Sequence, residues 1–510
     1  MPEDNPEITI GAVHRTHAEV REKAARLASA LRSKQVVAGD AVALIAKNDF
    51  VCIELALGAQ QMGAFAVPVN WHWQKPEVEH VLRDSGAKCI IAHHEFLPMI
   101  RAIVAESPQP SVSVIAVRPS WDSDAGPALG PPDIEDYDGW LAAHTPAQHT
   151  GIGRGSSMIY TSGTTGNPKA VRRLPASDAE VQQRQRLLEL VYNAQPGKVA
   201  LVTGPLYHLF SLAVALSNVG AGASLVIMQK FDPEDFLRLV ERHRVTAAGL
   251  VPTMFVRLLR LPEKIRRRYD ISSLEYVSHT AAPCPPDVKR QVIEWWGPIL
   301  FENYGCSETG VVTLISSAEW LAKPGSVGRP ALTGEVRIYD ESGRRLPPHE
   351  VGDVYLKMHG SPDFTYHGNS AARAKIDRDG FVTPGDMGYL DDDGYLFLCD
   401  RRSDMLISGG VNVYPKEIEC ALLSNPEIVD AAVFGIPDAD LGEIVAAHIQ
   451  RVPNSTLDES AVLAYLTPFT AKYKLPRVIV FEERLPRQDN GKIYKRLLRD
   501  PYWVNCGRRV

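Results

Sequence analysis

Between Met158 and Val171 the sequence reads MIYTSGTTGNPKAV, with hydroxyls, glycines and one lysine close behind an apolar run. Small residues let main-chain N–H groups approach an anion, and Lys169 adds positive charge, so phosphate is the ligand this composition suits. The spacing is not that of the Walker loop, because Asn167 and Pro168 separate Gly166 from Lys169. Read alone, the stretch is also compatible with a glycine-rich turn and a solvated lysine.

Other residues offer chemistry further along, each beside a plainer role. Glu308, in NYGCSETG, is a carboxylate in a tight glycine-bounded segment behind the strand-like ILFE; it suits a hard cation or a helix N-terminus equally. Asp386, in TPGDMG, is a turn aspartate or a carboxylate accepting both hydroxyls of a ribose. Arg401 and Arg402 form a charged pair, and Lys492 follows an Asn-Gly turn in LPRQDNGKIYKR, where a solvated lysine is the ordinary reading. His208, in GPLYHLF, follows a buried-strand pattern and by itself reads as a core histidine.

The elements that must hold these residues alternate. Ala18–Leu31 repeats apolar residues at helical spacing, DAVALIA reads as a buried strand, FVCIELALGAQQMGA as a helix and FAVPV as a strand. The alternation continues through AKCIIA, SVSVIAV, KVALVTG, ASLVIM and TAAGLV, and predicts an α/β fold with mainly parallel sheets. CPPDVKRQVIEWWG opens on prolines and stops at Gly297, as a helix does. Beyond residue 330 the texture turns to short β runs, GEVRIYDESGRRL, GDVYLKM and GYLDDDGYLFL, which predict hairpins and a small β subdomain. From Arg402 a Gly-Gly loop, the helical PKEIECALLSN and three strand-like runs predict a compact αβ unit. The expected division is therefore 1–402 and 403–510.

With 510 residues the chain needs more than one core. Its net charge of −6 offers no general attraction to nucleic acid or to an anionic membrane. No basic n-region with an apolar h-region opens the chain, and no apolar run approaches a membrane span. Seven scattered cysteines, never spaced C-x-x-C, argue against a disulfide framework or zinc site and for a reducing compartment. A soluble cytoplasmic protein is expected, with a homodimer as the commonest default.

The order of the motifs decides between the readings that single residues leave open. YTSGTTGNPK, NYGCSETG, TPGDMGYLDDDGYL, DRRSDMLISGGVNVYPKEIE and LPRQDNGKIYKR follow one another as in the AMP-forming acyl-CoA synthetases, the adenylate-forming superfamily, and the chain resembles that family over nearly its whole length. The resemblance implies that Thr161, Ser162, Gly163, Thr164, Thr165 and Gly166 cradle the β- and γ-phosphates of ATP, with Lys169 nearby. It implies Mg²⁺ on Glu308, ribose on Asp386, ribose or phosphate on Arg401, and adenine beside Asn303 and Tyr304. Ala281, Ala282 and Pro283 would form another wall, and Ser307 would line the nucleotide. Catalytic roles fall to Lys492, Glu308, Thr165 and His208. Lys492 would stabilise charge as the carboxylate attacks the α-phosphorus, and His208 would lie between the acyl pocket and the thiol route.

The reaction so implied runs in two steps: a carboxylate and ATP give acyl-AMP and pyrophosphate, and coenzyme A then displaces AMP as an acyl thioester. The small domain would rotate between steps, withdrawing Lys492 and presenting Gly409 and Gly410 of SGGVN to the pantetheine channel. A rival is an enzyme that loads a carrier protein, and a rival of another class is a nucleotide sensor without turnover. Three positions depart from the family pattern: Asp400 stands where Gly usually precedes Arg401, Ser403 stands at the hinge, and Ala170 follows Lys169. Tyr207, His208, Phe210, Ser278, His279, Cys306 and Val312 are the expected acyl-pocket walls. Their apolar, partly aromatic character suits an aromatic, cyclic or medium-chain carboxylic acid and disfavours a dicarboxylate.

Overall fold

The structure, a computed structural model, describes residues 5–106, 112–121, 134–148, 156–161, 169–174, 176–409, 411–487 and 493–504, without the side chains of residues 156 and 161. Ser162, Gly163, Thr164, Thr165, Gly166, Gly410 and Lys492 lie outside the described residues.

Two sheets rich in parallel pairs carry the first three hundred residues. In the nine-stranded sheet, Val199–Val202, Ser224–Ile227, Ala247–Leu250, Tyr276–His279 and Leu300–Cys306 run parallel, and Glu7–Ile10 extends one side. In the six-stranded sheet, Ala41–Ile45, Phe65–Pro68, Cys89–His93 and Ser113–Val117 are likewise parallel. The helix Phe50–Met62 is buried around most of its circumference and shares one apolar cluster with strands of both sheets. A helix apolar on all sides belongs between layers, and this one fills the seam. Its ends are set locally: the Asp49 carboxylate accepts from the Phe50 N–H, and Gly63 closes the helix in the left-handed region at φ 73°.

Two further sheets complete the large part. Gly334–Tyr339, Gly352–Met358, Asp386–Leu390 and Leu396–Arg401 pair antiparallel, which is the expected β subdomain. Ile159–Thr161, Lys169–Arg173 and Phe364–Tyr366 make a three-stranded sheet, with Lys169 opposite Thr161 and Val171 opposite Tyr366. The strands on either side of the suspected phosphate loop therefore pair antiparallel.

The last part has its own core, including Leu406, Ile418, Val433, Val445 and Val462. Its long hairpin, Ile428–Asp438 with Gly442–Arg451, is flanked by Val478–Glu482 and the helices Pro415–Leu423 and Glu459–Leu466. The unusual Asp400 has a visible job at the junction. Tyr414 gives the helix Pro415–Leu423 no side-chain cap, and the Asp400 carboxylate accepts from the Lys416 N–H at 2.8 Å instead.

The strand expected to stop near ILFE continues to Cys306, and behind it a fully buried ion pair secures the sheet. Lys289 Nζ lies 2.7 Å from Glu302 Oε2 and 4.9 Å from the Trp320 ring centre, with His279 Nε2 3.8 Å from the same carboxylate. Burial first, and the Lys289 charge second, hold the His279 pKa well below its ordinary value, so the imidazole is neutral. Breaking such a pair strands a charge in the interior. Lys289→Met should cost about 3–5 kcal/mol of stability, whereas Lys289→Met with Glu302→Leu should recover most of it. Urea unfolding midpoints decide this, and a double variant no more stable than the single one would show that the pair does not carry the energy.

Candidate active site

The hairpin Leu300–Cys306/Gly310–Ser316 brings most of the candidate residues together. Its three-residue turn is Ser307, Glu308 and Thr309, closed by Gly310 at φ 76°, a common geometry for a three-residue β-turn. A register shift lies between Tyr304 and Gly305. At Gly305 the strands approach so closely that a Cβ would lie 1.9 Å from the Gly310 carbonyl oxygen.

Two residues that the sequence reading missed hold this turn. Arg173 ends the strand behind the phosphate loop, and its guanidinium donates to the carbonyl oxygens of Ser307 (2.9 Å) and Glu308. Burial, with the neighbouring Arg184 next, lowers the Arg173 pKa to about 10. Tyr366, opposite Val171, donates its hydroxyl to Glu308 Oε1 at 2.7 Å, and Lys169 Nζ lies 5.9 Å from the centre of its ring. Lys169, Tyr366 and Glu308 thus converge across three separate elements. Tyr366 has no signal in the sequence, since only the pairing of Phe364–Tyr366 with Lys169–Arg173 gives it this place.

A second group forms at the other end of the hairpin. Tyr304 donates its hydroxyl to Asp386 Oδ2 at 2.7 Å, and Arg401 Nε approaches Asp386 Oδ1 at 3.4 Å, directly across the Asp386–Leu390/Leu396–Arg401 ladder. Burial and then the Asp386 charge push the Tyr304 pKa well up, so it remains a donor. A carboxylate has about four lone-pair directions, so Asp386 keeps acceptor capacity beyond these two partners. Asn303, buried, donates from Nδ2 to Ser278 Oγ at 2.8 Å.

Other candidates fall as follows. His208 takes the N-cap position of the helix Leu209–Ala221, with its ring 4.4 Å from that of Tyr207. Phe210, two residues on, covers Gly249, where any Cβ would meet its ring at 3.1 Å. Burial pushes the Cys306 thiol up to about 12, so it is an uncharged wall. Gly409 turns with φ 56° between Leu406–Ser408 and Val411–Val413. Lys492 lies outside the described residues, but Arg487 and Ile493 on either side form a bridge that holds the ends of its segment. One expected wall is corrected: His279 points away from Ser278, into the helical layer, with its ring edge-on to Phe255 at 5.3 Å. Side chains alternate across a strand, so adjacent residues cannot both face the same pocket.

The chain matches the AMP-binding enzyme family over residues 2–361 and the AMP-binding enzyme C-terminal domain over residues 417–492. It is 33% identical over 489 residues to the feruloyl-CoA synthase of an Amycolatopsis species, covering 95% of this chain and 93% of that one. It is 30% identical to the fatty acid–[acyl-carrier-protein] ligase ScoC of Streptomyces coeruleorubidus, over 97% of this chain and 93% of that one. Among solved structures, ATP-bound MatB from Rhodopseudomonas palustris superposes with a TM-score of 0.84 at 28% identity, over 99% of this chain and 97% of that one. The apo form of that protein, at the same identity and coverage, gives 0.73.

Backbone strain marks one more place in the site. Ala281 has φ 75°, in the left-handed region that side chains disfavour by about 1–2 kcal/mol. Ala281→Gly should therefore hold or raise the urea unfolding midpoint, by up to about 1 kcal/mol, where the same change in an ordinary loop lowers it. A clear loss of stability would show that the strain is relieved by contacts of the methyl group. The sequence motifs, the architecture and the two families that cover it agree: the chain belongs to the adenylate-forming AMP-binding enzymes, among the acyl- and aryl-CoA ligases.

Proposed function

We propose that this protein is an ATP-dependent carboxylic acid:CoA ligase that acts on an aromatic, cyclic or medium-chain acid. The observation that carries the reading is that one hairpin holds two groups, Glu308 with Tyr366 and the nearby Lys169, and Tyr304 with Asp386 and Arg401. Polar groups of those types, in that order, suit phosphate at one end and ribose at the other. A carboxylate is a poor electrophile, and joining it to AMP supplies the leaving group that a thiol can displace. In this reading Thr161, Ser162, Gly163, Thr164, Thr165, Gly166 and Lys169 address the β- and γ-phosphates, while Asp386 and Arg401 hold the ribose. Asn303, Tyr304, Ser307 and the segment Ala281, Ala282 and Pro283 enclose the nucleotide.

Glu308 fits a hard cation. Among the described residues no group of three or more His, Cys, Asp or Glu could hold a metal, so an ion there would complete its shell with phosphate and water oxygens, as Mg²⁺ does. Bound there, Mg²⁺ would neutralise charge on the phosphates. Arg173 and Tyr366 position the Glu308 turn, and His208 separates the acyl and thiol routes beside Phe210. Feruloyl-CoA synthase among the relatives supports an aryl acid, and Phe210, Tyr207 and the neutral Cys306 suit a flat, apolar group. The ScoC relative supports a carrier protein as the alternative acceptor. A cytoplasmic location is part of this reading, supported by the six described cysteines, which are all free; among the described residues no helix is long and apolar enough to cross a membrane.

Two half-reactions test the reading. Lys492→Ala should slow ATP–pyrophosphate exchange roughly a hundredfold or more, while thioester formation from supplied acyl-AMP survives far better. Equal loss in both would refute a role confined to adenylation, and no exchange by the unaltered protein with any acid would refute the ligase reading.

We place the mobile unit at 403–510 and its pivot at Ser403. Arg402 is anchored to the β subdomain by two bonds to the Asp353 carboxylate, at 2.6 and 2.8 Å, whereas among the described residues Ser403 Oγ meets only the adjacent Asp404, at 3.3 Å. The two MatB states, with TM-scores of 0.84 and 0.73, support a fold that takes more than one arrangement. Proline restricts its own φ and the conformation of the residue before it. A stably folded Ser403→Pro protein should thus keep pyrophosphate exchange and lose most acyl-CoA formation. Normal acyl-CoA output from that variant would move the pivot elsewhere.

A further inference from the structure

The small part meets the large one at a bulge in its long hairpin. Between Ile428 and Asp430 the pairing of Ile428–Asp438 with Gly442–Arg451 shifts by one residue, and Val429 drops out of the ladder. An extra residue in one strand kinks it and re-aims the main chain. Here the carbonyls of Ile428 and Val429 both accept from Arg260, whose Nη2 lies 3.0 and 3.2 Å from them. Arg260 belongs to the large part. It follows the helix Pro252–Leu259, which buries Pro252, Met254, Phe255 and Leu258, so the guanidinium reaches out from a fixed base. A second bond joins the two parts: Ser424 Oγ donates to Asp287 Oδ2 at 3.0 Å, in the first turn of the helix Pro286–Trp296.

The residue after the bulge leads to Lys492. Asp430 is buried, and its carboxylate accepts from both Nε and Nη2 of Arg487. Arg487 pairs in turn with Ile493 in an isolated bridge, and the Tyr494 N–H donates to the Pro486 carbonyl at 2.9 Å. These contacts join the two flanks of the segment that carries Lys492. Beyond the second flank, Lys495 Nζ lies 2.8 Å from Glu419 Oε1, which also accepts from the Val433 N–H at 2.8 Å. The flanks of Lys492 are thus fixed to the body of the small part. Whatever docks that body on the large part also sets the place from which Lys492 reaches.

Exposure tells which way the small part is turned. Its Gly409 hairpin carries Ile407 and Val411 on the outside, 50% and 44% exposed, so that face is undocked. The strand that holds Arg487 is docked instead, one residue from the pair. A chain that must bring Lys492 to the phosphates in one step, and the SGGVN loop to the thiol in the other, is therefore held here in the first arrangement. An arginine on two carbonyls suits such a joint. Its hydrogen bonds are charge-assisted, yet no buried carboxylate is stranded when they break. Arg260 is exposed, so water takes over its bonds when the parts separate.

Resting on the ligase reading above, we infer that Arg260 is a positioning residue for the adenylation step. It docks the small part, through the bulge at Val429, in the arrangement that brings Lys492 to the phosphates. Arg260 touches no substrate in this role and acts only through Lys492.

The test separates the half-reactions in the full-length protein, using whichever of hexanoate, cyclohexanecarboxylate and benzoate it exchanges fastest. Arg260→Ala should lower kcat for ATP–pyrophosphate exchange about fivefold or more, with KM for ATP and for the acid unchanged. Thioester formation from supplied acyl-AMP should be unchanged or faster, because the other arrangement no longer competes with a docked one. Arg260→Lys keeps a donor for the carbonyls and should recover most of the exchange; thermal unfolding verifies that both variants fold. Added to Lys492→Ala, Arg260→Ala should cost no further exchange, since nothing is left for it to position. Normal exchange by Arg260→Ala would overturn the inference, as would equal losses in the two half-reactions or a loss confined to thioester formation. So would a loss of the same factor in the Lys492→Ala background. In each of these cases the unaltered protein still exchanges pyrophosphate and the ligase reading stands. No exchange by the unaltered protein with any of the three acids defeats that reading for them, and the inference with it.

Discussion

The site depends on how closely two strands can approach. Gly305 faces the Gly310 carbonyl at a distance that no side chain could share, and that approach lets the hairpin turn in three residues. Asn303 and Tyr304 precede the contact, and Ser307 and Glu308 follow it. A side chain at Gly305 would push the strands apart and separate the group at Asp386 from the group at Tyr366. The residues we assign to the nucleotide are thus held by main-chain geometry first and by their own hydrogen bonds second.

Two cations around this hairpin are managed in two ways. Lys289 is neutralised by Glu302 on the closed face of the sheet, where water does not reach. Arg173 is satisfied by carbonyl oxygens, which bind the turn without cancelling the charge. A charge left uncancelled at the turn and a balanced one behind the sheet suit substrates that are all anions: ATP, a carboxylate and coenzyme A.

The junction of the two parts combines firm and weak attachment. Arg402 is clamped to Asp353 and Glu341, and Asp400 reaches forward to the first turn of Pro415–Leu423. Arg260 and Asp287 add contacts to the Ile428 carbonyl and to Ser424. These are a few polar bonds at the edge of two separate apolar cores, the kind of interface that allows one part to move against the other. Asp400 in place of the more usual glycine adds a helix cap that such a motion would have to break.

Much of this was legible along the chain. The alternation of strands and helices, the change to hairpins after residue 330 and the helix stop at Gly297 follow from periodicity and local backbone chemistry, so sequence alone determined them. So did the motifs that contain Lys169, Glu308, Asp386 and Arg401, because each keeps its residue types within a short stretch. Tertiary structure alone decided what lies opposite what. Tyr366 reaches Glu308 only because its strand pairs with Lys169–Arg173, nearly two hundred residues earlier. His279 looked like a pocket wall beside Ser278, and the alternation of the strand turned it into the core. Pairing partners and facing direction are set by contacts between distant segments, and no local pattern of residues encodes them.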